Sequence, residues 1–383
     1  NSFKEYIITR LKDQRELSLL TVLEALRIGM SVDEIHKLSG ITPWFIEQLN
    51  LFLDQETRLS SGEIDIKNIE EFRSLKKNGF SDKYIALLTG SPLGKILKHR
   101  YENNILPAFK AVDTCSGEFK ALTPYFYSTY TSTSDATSLA QSGDSVAILG
   151  SGPNRIGQGI EFDYSCVKSC LHLREKNIQS IMINSNPETV STDYDSSDRL
   201  YLAPLFSEDL FDILFFENPK GVITSFSGQT GINIREHLES SVRKNIKEFN
   251  FLGPSLDTLD KVEDRNRFDK ILKESNITFN PSYEVSGFKN LINKITEIGY
   301  PVIIRPSYVI GGESMYIFKS YEDIKAVGSS LEKILHGHQV YFQVERYIED
   351  AIEFDIDLIR DSKGNTIFTI CEHIEHAGVH SGD

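Results

Sequence analysis

The sequence predicts a multidomain protein in which an all-helical domain is followed by a parallel α/β domain and then by an α+β domain. The first 110 residues carry helix caps and helical apolar spacing, the middle alternates short apolar strands with helices, and the last part mixes both without that alternation. At 383 residues the chain is too long for one ordinary core, because domains usually hold roughly 100–200 residues.

The predicted boundaries follow changes in composition. We place the helical domain at residues 1–118, a linker at 119–144, the α/β domain at 145–255 and the α+β domain at 256–383. Residues 131–145 are small and polar, which is typical of a loop. Near residue 255 the strand–helix alternation ends, so we expect a new domain there.

The helical domain begins with clear helix signals. Ser31 and Glu34 form a capping box, in which each side chain can bond the other's backbone amide, and Gly40 closes that helix. Thr42 and Pro43 predict the start of the next helix, with Thr42 as the cap. Fifty residues later the pattern Gly29, Ser31, Ile35, Leu38 and Gly40 recurs as Gly79, Ser81, Ile85, Leu88 and Gly90, which predicts two helical units in tandem.

The α/β domain is predicted from four short apolar segments separated by helical ones. We expect strands at 146–150, 180–184, 221–226 and 251–252, and helices at 160–176, 210–217 and 231–244. This alternation favours a doubly wound, Rossmann-like parallel sheet.

A glycine-rich turn follows the first of these strands. Gly150 and Gly152 fit the start of a dinucleotide-binding fingerprint, but Arg155 occupies its sixth position and the next glycine, Gly157, comes late. Pro153 also removes an amide that could bind phosphate. The NAD interpretation is therefore weak, and a tight turn in the scaffold explains the segment equally well.

The α+β domain is predicted to start with a helix over 256–274. Strands are expected at 302–305, 315–318, 340–344, 353–359 and 366–370, with a turn at 361–364 between the last two. Arg305 ends a strand and offers a planar, charged fork suited to phosphate oxygens, while Gly311 and Gly312 allow a loop to fold closely over a ligand. A simple β-turn with an exposed arginine is the alternative.

Other chemistry-bearing residues have ordinary explanations beside functional ones. Cys166 and Cys170 are four residues apart on a predicted helix, and two buried small residues are a better explanation than a metal corner. Glu353, Asp355 and Asp357 alternate on one strand, where an exposed strand face is commoner than a metal site. His380 lies among small residues, as in a turn at a ligand or in a tail.

Composition and charge exclude some classes of protein. The net charge is −14, and residues 1–110 hold 16 Lys and Arg against 15 Asp and Glu, so no basic patch supports nucleic-acid binding or a helix-turn-helix DNA reader. No apolar run approaches the roughly 18 residues of a membrane helix, and no signal peptide is evident. The chain begins with Asn1 rather than Met, so we expect a piece of a longer protein.

Taken in order, six segments resemble the large subunits of carbamoyl phosphate synthetases, and the match runs the length of the chain. The segments are residues 150–164, 184–195, 229–231, 263–268, 305–312 and 372–383. The form Gly-Pro-Asn-Arg-Ile-Gly-Gln-Gly at 152–159 resembles the second half of that family, which phosphorylates carbamate.

The resemblance implies an oligomerisation domain, a pre-ATP-grasp domain and the N-terminal part of an ATP-grasp fold, cut short at the end of the chain. It implies that ATP is bound through residues at matching positions: Arg265, Arg305, Arg346, Ile348, Glu353, Gly378, Val379, His380 and Ser381. Arg305 would contact phosphate, Arg346 and Ile348 the adenine, and Glu353 the ribose. No catalytic residue is assigned. The family's Mg²⁺ (or Mn²⁺) ligands would follow residue 383, so no metal ligand is assigned here.

The resemblance further implies a cytoplasmic enzyme of pyrimidine or arginine biosynthesis, a glutaminase subunit or fused glutaminase domain as partner, and a homo-oligomer. Without the missing metal ligands, these 383 residues are expected to be inactive alone. Two alternatives remain open at this point. Another ATP-grasp ligase, such as a biotin-dependent carboxylase, leaves the helical domain unexplained, and a non-catalytic assembly module would bind nucleotide without turnover.

Overall fold

A computed structural model describes residues 2–13, 18–119, 121, 123–131, 133–141, 143–153, 160–306, 315–326 and 341–374. Contacts divide the chain into two compact units, the first ending at Gly253 and the second beginning at Pro254. None of the described helices is long and apolar enough to cross a membrane.

The first unit opens with helices. They are α1 (Ser2–Lys12), α2 (Leu19–Arg27), α3 (Val32–Ser39), α4 (Pro43–Ser61), α5 (Ile69–Lys77), α6 (Asp82–Thr89) and α7 (Leu93–Glu102). The capping box is confirmed, since the Glu34 amide donates to Ser31 Oγ at 3.2 Å and the Ser31 amide donates to Glu34 Oε2 at 2.8 Å. Gly40 ends α3 in the left-handed conformation, with φ of 74°. Thr42 stands at the cap position of α4, but its side chain makes no capping hydrogen bond, which corrects that expectation.

The predicted tandem repeat is present. Helices α2 and α3 recur as α5 and α6 with an offset of 50 residues (19 + 50 = 69 and 32 + 50 = 82), and α4 and α7 start with the same offset. Each repeat has its own apolar core, one around Ile35 and Ile46 and the other around Ile85 and Ile96. We call residues 19–61 the first repeat and residues 69–102 the second repeat.

A seven-stranded sheet completes the first unit. Its strands are β1 (Ala108–Ala111), β2 (Tyr125–Thr129), β3 (Ser145–Leu149), β4 (Gln179–Asn184), β5 (Arg199–Leu202), β6 (Gly221–Ile223) and β7 (Phe251–Leu252), in the order β1-β2-β5-β4-β3-β6-β7. All neighbours are parallel except the edge pair β1–β2. Helix α8 (Glu161–Glu175) packs on one face, while α9 (Ser207–Glu217) and α10 (Gly228–Leu238) pack on the other. The parallel, doubly wound character of this region is therefore as predicted.

Several element boundaries differ from the prediction. The segment assigned as a linker contains β2, and the end of the predicted helical domain contains β1, because the alternating Tyr125–Thr129 strand extends the sheet beside β5. Strand β6 ends at Ile223, since a short 3₁₀ turn follows. The helix predicted over 231–244 is two helices, α10 and α11 (Ser241–Lys244).

Buried charges join the second repeat to the sheet. Arg100 is fully buried, and its Nε donates to Asp82 Oδ2 at 2.8 Å while its Nη1 donates to Asp212 Oδ2 at 3.0 Å. The buried Lys76 ammonium pairs with Glu208 and, at 3.2 Å, with Asp82. Because Asp212 and Glu208 belong to α9, these ion pairs cross from the helical repeat to the sheet region. We call Lys76, Asp82, Arg100, Glu208 and Asp212 the buried network.

The second unit contains a four-stranded antiparallel sheet. Its elements are α12 (Leu256–Glu263), α13 (Arg265–Glu274), β8 (Ser282–Ser286), α14 (Phe288–Ile298), β9 (Val302–Pro306), β10 (Tyr316–Phe318) and β11 (Tyr341–Arg346), with strand order β10-β9-β11-β8. The helix predicted over 256–274 is interrupted, because the Asp264 side chain accepts the Arg267 amide at 2.9 Å and starts α13.

A separate hairpin pairs β12 (Phe354–Arg360) with β13 (Thr366–Glu372). Its turn is held by Asp361, whose Oδ1 accepts the amides of Lys363 and Asn365 at 2.9 and 2.8 Å. Every residue of both strands is exposed, including Ile356, Phe368 and Ile370.

Candidate functional site

The four-stranded sheet of the second unit has one apolar face and one polar face. Side chains alternate along a strand, so Ile304 and Val344 lie on one face and Arg305 and Glu345 on the other. The apolar face is buried against α14, which supplies Leu291 to the same core. Burying the apolar face leaves the polar face free to present its charges to a ligand.

Arg305 stands at the end of β9 on the polar face. Its Nη2 donates to Glu345 Oε1 on the neighbouring strand at 2.6 Å, and its side chain is 36% exposed. Its Nε is inaccessible to solvent and has no hydrogen-bond partner among the described residues. A buried donor without a partner is costly, so the guanidinium of Arg305 is not fully satisfied by the described residues.

Arg265 reaches the same carboxylate from α13. Its Nη1 donates to Glu345 Oε1 and, at 3.1 Å, to Ser282 Oγ on β8. The Ser282 hydroxyl in turn donates to Gln343 Oε1 at 2.7 Å. We call Arg265, Arg305 and Glu345 the arginine cluster, which carries two positive charges and one negative charge.

The electrostatics of Glu345 follow from these contacts. Burial raises the pKa of its carboxyl, but the hydrogen bond and charge of Arg305 and the charge of Arg265 outweigh burial, so the pKa lies below its ordinary value. Glu345 is therefore ionised at neutral pH, and the arginine cluster keeps one net positive charge. Such a cluster can bind an anion with several oxygens, such as a phosphate chain.

Sequence reasoning did not identify Glu345 as a functional residue. Its partners lie 40 and 80 residues away in the chain, and only the sheet register brings them together. The available signal was Glu345 directly after the strand predicted at 340–344, together with Arg305 at the end of the strand predicted at 302–305.

The residues expected at the adenine and ribose lie at the end of β11 and in the segment before β12, and within the described residues they make no hydrogen bond to the arginine cluster. Arg346 is exposed at the end of the strand, and its carbonyl accepts from Asn280 Nδ2 at 2.8 Å. Ile348 and Glu353 are also exposed, and the Glu353 carbonyl accepts the His373 amide at 3.0 Å. The side chains of Arg346, Ile348 and Glu353 are therefore exposed to solvent and are not part of the core.

Other predicted positions lie outside the described residues. They are Gly378, Val379, His380 and Ser381 of the expected nucleotide pocket, the loop glycines Gly311 and Gly312, and Arg155 and Gly157 of the glycine-rich turn.

The described part of that turn packs closely on the sheet. A Cβ at Gly150 would lie 2.5 Å from Asn184 Nδ2, and the Gly152 amide donates to Asn184 Oδ1 at 3.1 Å. Gly152 has a φ of 76°, and a Cβ there would lie 3.0 Å from Leu205 and Ser185, so the turn itself requires both glycines.

The cysteines and the acidic strand match their ordinary explanations. Cys166 and Cys170 are both buried, and burial raises the pKa of the Cys170 thiol to about 12. Glu353, Asp355 and Asp357 are exposed. His373 Nε2 lies 2.9 Å from Asp355 Oδ2, in a hydrogen bond that is an ion pair when the imidazole is protonated. Within the described ranges, no three His, Cys, Asp or Glu side chains come together as a metal site.

Three family models match the chain in succession. Residues 1–104 match the carbamoyl-phosphate synthetase large chain, oligomerisation domain. Residues 142–261 match the carbamoyl phosphate synthase preATP-grasp domain, and residues 264–383 match the carbamoyl-phosphate synthase L chain, ATP binding domain.

Curated relatives carry the same family name. The carbamoyl phosphate synthase large chain of Neisseria meningitidis serogroup A is 41% identical over 95% of this chain and 33% of its own length. That of Rhodopirellula baltica is 42% identical over 94% of this chain and 32% of its own length. The chain thus spans about a third of the length of the relatives it matches.

Among solved structures, an N5-carboxyaminoimidazole ribonucleotide synthetase in complex with ADP aligns at a TM-score of 0.45 and 16% identity. The alignment covers 61% of this chain and 55% of that one. At this level the likeness has no weight for function.

Proposed function

Because the chain belongs to the carbamoyl phosphate synthase large-chain family, we propose that it binds ATP on the polar face of its four-stranded sheet and serves the phosphorylation of carbamate to carbamoyl phosphate. The observation that carries the proposal is the arginine cluster, which lies within the residues matching the family's ATP binding domain. An ATP-grasp fold for this region and a pre-ATP-grasp role for the seven-stranded sheet belong to the same proposal.

The arginine cluster supplies charge where phosphoryl transfer needs it. A carbamate oxygen attacks the γ-phosphorus of ATP, the new O–P bond forms as the bond to ADP breaks, and negative charge builds on the phosphate oxygens. Arg305 binds those oxygens through the exposed part of its guanidinium fork. Arg265 adds a second cation from α13, and Glu345 keeps the two guanidinium groups side by side.

The remaining pocket residues complete the proposal. Arg346 and Ile348 would border the adenine, Glu353 would accept from the ribose hydroxyls, and residues 378–381 would line the nucleotide. Arg346, Ile348 and Glu353 are exposed at the end of β11 and in the segment before β12, which supports a ligand-binding edge there.

Magnesium, or manganese, would neutralise the phosphates when bound. On the family pattern, its oxygen ligands are proposed to follow residue 383.

The assembly is proposed from the family alone. A glutaminase subunit or domain would provide ammonia, the rest of the large chain would complete the site, and the match of residues 1–104 to an oligomerisation domain supports self-association. Cytoplasmic location and a place in pyrimidine or arginine biosynthesis are proposed on the same basis. We expect no carbamoyl phosphate formation from the 383 residues alone.

Calorimetric titration of ATP, with Mg²⁺, tests the proposal on the protein at the length of its relatives. Arg305→Ala is expected to weaken ATP binding roughly tenfold to a hundredfold, because it removes charge-assisted hydrogen bonds of about 1.5–3 kcal/mol. The matched control is Arg267→Ala, which removes an arginine of α13 that pairs with Asp257 at 3.0 Å, outside the arginine cluster. Equal weakening by both variants would reject the site, and an unmodified protein that does not bind ATP would reject the function.

A further inference from the structure

The second repeat uses one face of α7 to contact the sheet region. Tyr101 packs edge-on against Phe211 of α9 with ring centroids 5.4 Å apart, and Arg100 pairs with Asp212 of the same helix. Two turns before Tyr101, Gly94 lies so close to α11 that a Cβ there would be 3.3 Å from Val242 Cγ1. The α7 face of Gly94, Leu97, Arg100 and Tyr101 is therefore the docking face of the second repeat.

The offset of 50 residues identifies the equivalent face in the first repeat. Trp44, Glu47, Asn50 and Leu51 of α4 stand where Gly94, Leu97, Arg100 and Tyr101 stand in α7. All four α4 residues are exposed, Trp44 by 57% and Leu51 by 60%. The neighbouring Phe45 is exposed as well, so we call Trp44, Phe45, Glu47, Asn50 and Leu51 the α4 face.

The α4 face differs from ordinary helix surface. The i, i+7 spacing places Trp44 and Leu51 in line along the helix, while Ile46 on the other side is buried in the repeat's own core. Exposed aromatic and aliphatic side chains in line are typical of protein contacts rather than of solvated surface.

We propose that the α4 face docks onto another helix-covered parallel sheet domain of the same large chain, as the second repeat docks onto α9 and α11. Relatives are about three times as long as this chain, so there is ample further sequence to supply such a domain. The two repeats are equivalent by position, and this equivalence indicates the type of occupant. Because the equivalent face of α7 already packs on helices that cover a parallel sheet, we expect the α4 face to pack on a surface of the same type.

The residues of the first repeat also define the chemistry of the occupant. Leu26, Val32 and Asn50 stand at the positions of Lys76, Asp82 and Arg100 in the second repeat. The first repeat therefore lacks the charges of the buried network. Its occupant presents apolar side chains to Trp44 and Leu51 and a neutral hydrogen-bonding group to Asn50, without the buried carboxylates that α9 brings to Arg100.

Thiol labelling of Leu51→Cys tests this inference. The variant is made in the 383-residue chain and in the protein at the length of its relatives, and the labelling rate is read by peptide mass spectrometry at several protein concentrations. Leu87→Cys is the matched control, because Leu87 is an even more exposed leucine (74%) on α6 of the second repeat, outside the α7 docking face.

We expect the Leu51→Cys thiol to react at least tenfold more slowly in the longer protein than in the 383-residue chain, independent of concentration, while Leu87→Cys reacts equally in both. Equal rates for Leu51→Cys in both lengths would overturn the proposal, because the face would then be uncovered. Protection that grows with concentration would also overturn it, since the occupant would then be a second copy of the chain.

Discussion

Arg100 and Arg305 both bond carboxylates, but Arg100 is buried in the first unit and Arg305 is partly exposed in the second unit. Arg100 is fully buried, bonded to Asp82, Asp212 and two tyrosine hydroxyls, so its donors are committed. Arg305 is 36% exposed, bonds Glu345, and has an Nε without a hydrogen-bond partner among the described residues. This difference separates a structural arginine from a binding one. An arginine whose donors are bonded within the protein stabilises the fold, whereas an arginine with exposed donors can bind a ligand.

The comparison predicts its largest effect for Arg100→Leu. Removing this cation leaves Asp82 and Asp212 buried with one partner fewer, so we expect the free energy of unfolding of the first unit to fall by about 3–5 kcal/mol. Urea unfolding can be followed through Trp44, the single tryptophan of the chain.

Arg58→Leu is the matched control for that measurement. Arg58 is exposed and pairs with Asp54 and Glu63 at 3.8 and 3.5 Å, so we expect a change of about 1 kcal/mol or less. If Arg100→Leu cost no more than Arg58→Leu, the buried network would not be the structural element described above.

Removing the carboxylate that holds Arg305 gives the next largest effect. We expect Glu345→Gln to weaken ATP binding roughly tenfold, about 1.4 kcal/mol, because both guanidinium groups lose the charge that orients them. Glu345→Asp should retain part of the affinity. Tighter binding by Glu345→Gln in the same calorimetric titration would show instead that Glu345 competes with phosphate.

Acidification should affect the two regions with opposite signs. Burial, with the nearby charges of Glu208 and Asp212, raises the pKa of Asp209 to about 6, although Lys76 opposes the shift. A carboxyl whose folded pKa is raised adds stability that is fully present below its unfolded pKa of about 4 and is lost as the pH rises through about 6. The pKa of Glu345 is lowered, so its contribution is present above its unfolded pKa of 4.5 and is lost as the pH falls below it.

From pH 7 to pH 5 we therefore expect the free energy of unfolding of the first unit to rise by about 1 kcal/mol. The midpoints of urea unfolding, followed through Trp44, measure this gain in stability. Asp209→Asn should remove most of the dependence of the midpoint on pH. Glu208, whose pKa burial also raises, would account for the remainder. A first unit that loses stability over this interval would contradict the assignment.

The smallest effect is expected for Arg305→Leu on stability. Arg305 is partly exposed and is not needed to neutralise a fully buried charge. The substitution should therefore change the free energy of unfolding of the second unit by about 1 kcal/mol or less. Circular dichroism follows this transition, with Arg267→Leu as the control. A loss comparable to that of Arg100→Leu would erase the distinction between the two arginines.

Local signals accounted for the parts of the fold that could be predicted from sequence. The capping box at Ser31, the left-handed Gly40 and the helix cap at Ser81 each depend on residues a few positions apart, and all three are present. Strands β1, β2, β5 and β8 were missed because their sequences mix polar and apolar residues and lack the continuous apolar run of β3 and β4.

The candidate site was less accessible to sequence reasoning. Arg305 could be proposed from its own motif, but the role of Glu345 depends on strand register and the buried network depends on ion pairs across more than 100 residues, as between Arg100 and Asp212. No local pattern encodes such pairings.

The β12–β13 hairpin has a consequence for handling the protein. Among the described strands, β12 and β13 pair only with each other, and side chains such as Ile356 and Phe368 are exposed. Open strand edges with apolar side chains favour intermolecular aggregation. The net charge of −14 opposes this by electrostatic repulsion, which added salt screens. Colloidal stability of the purified chain should therefore be highest in dilute, low-salt buffer.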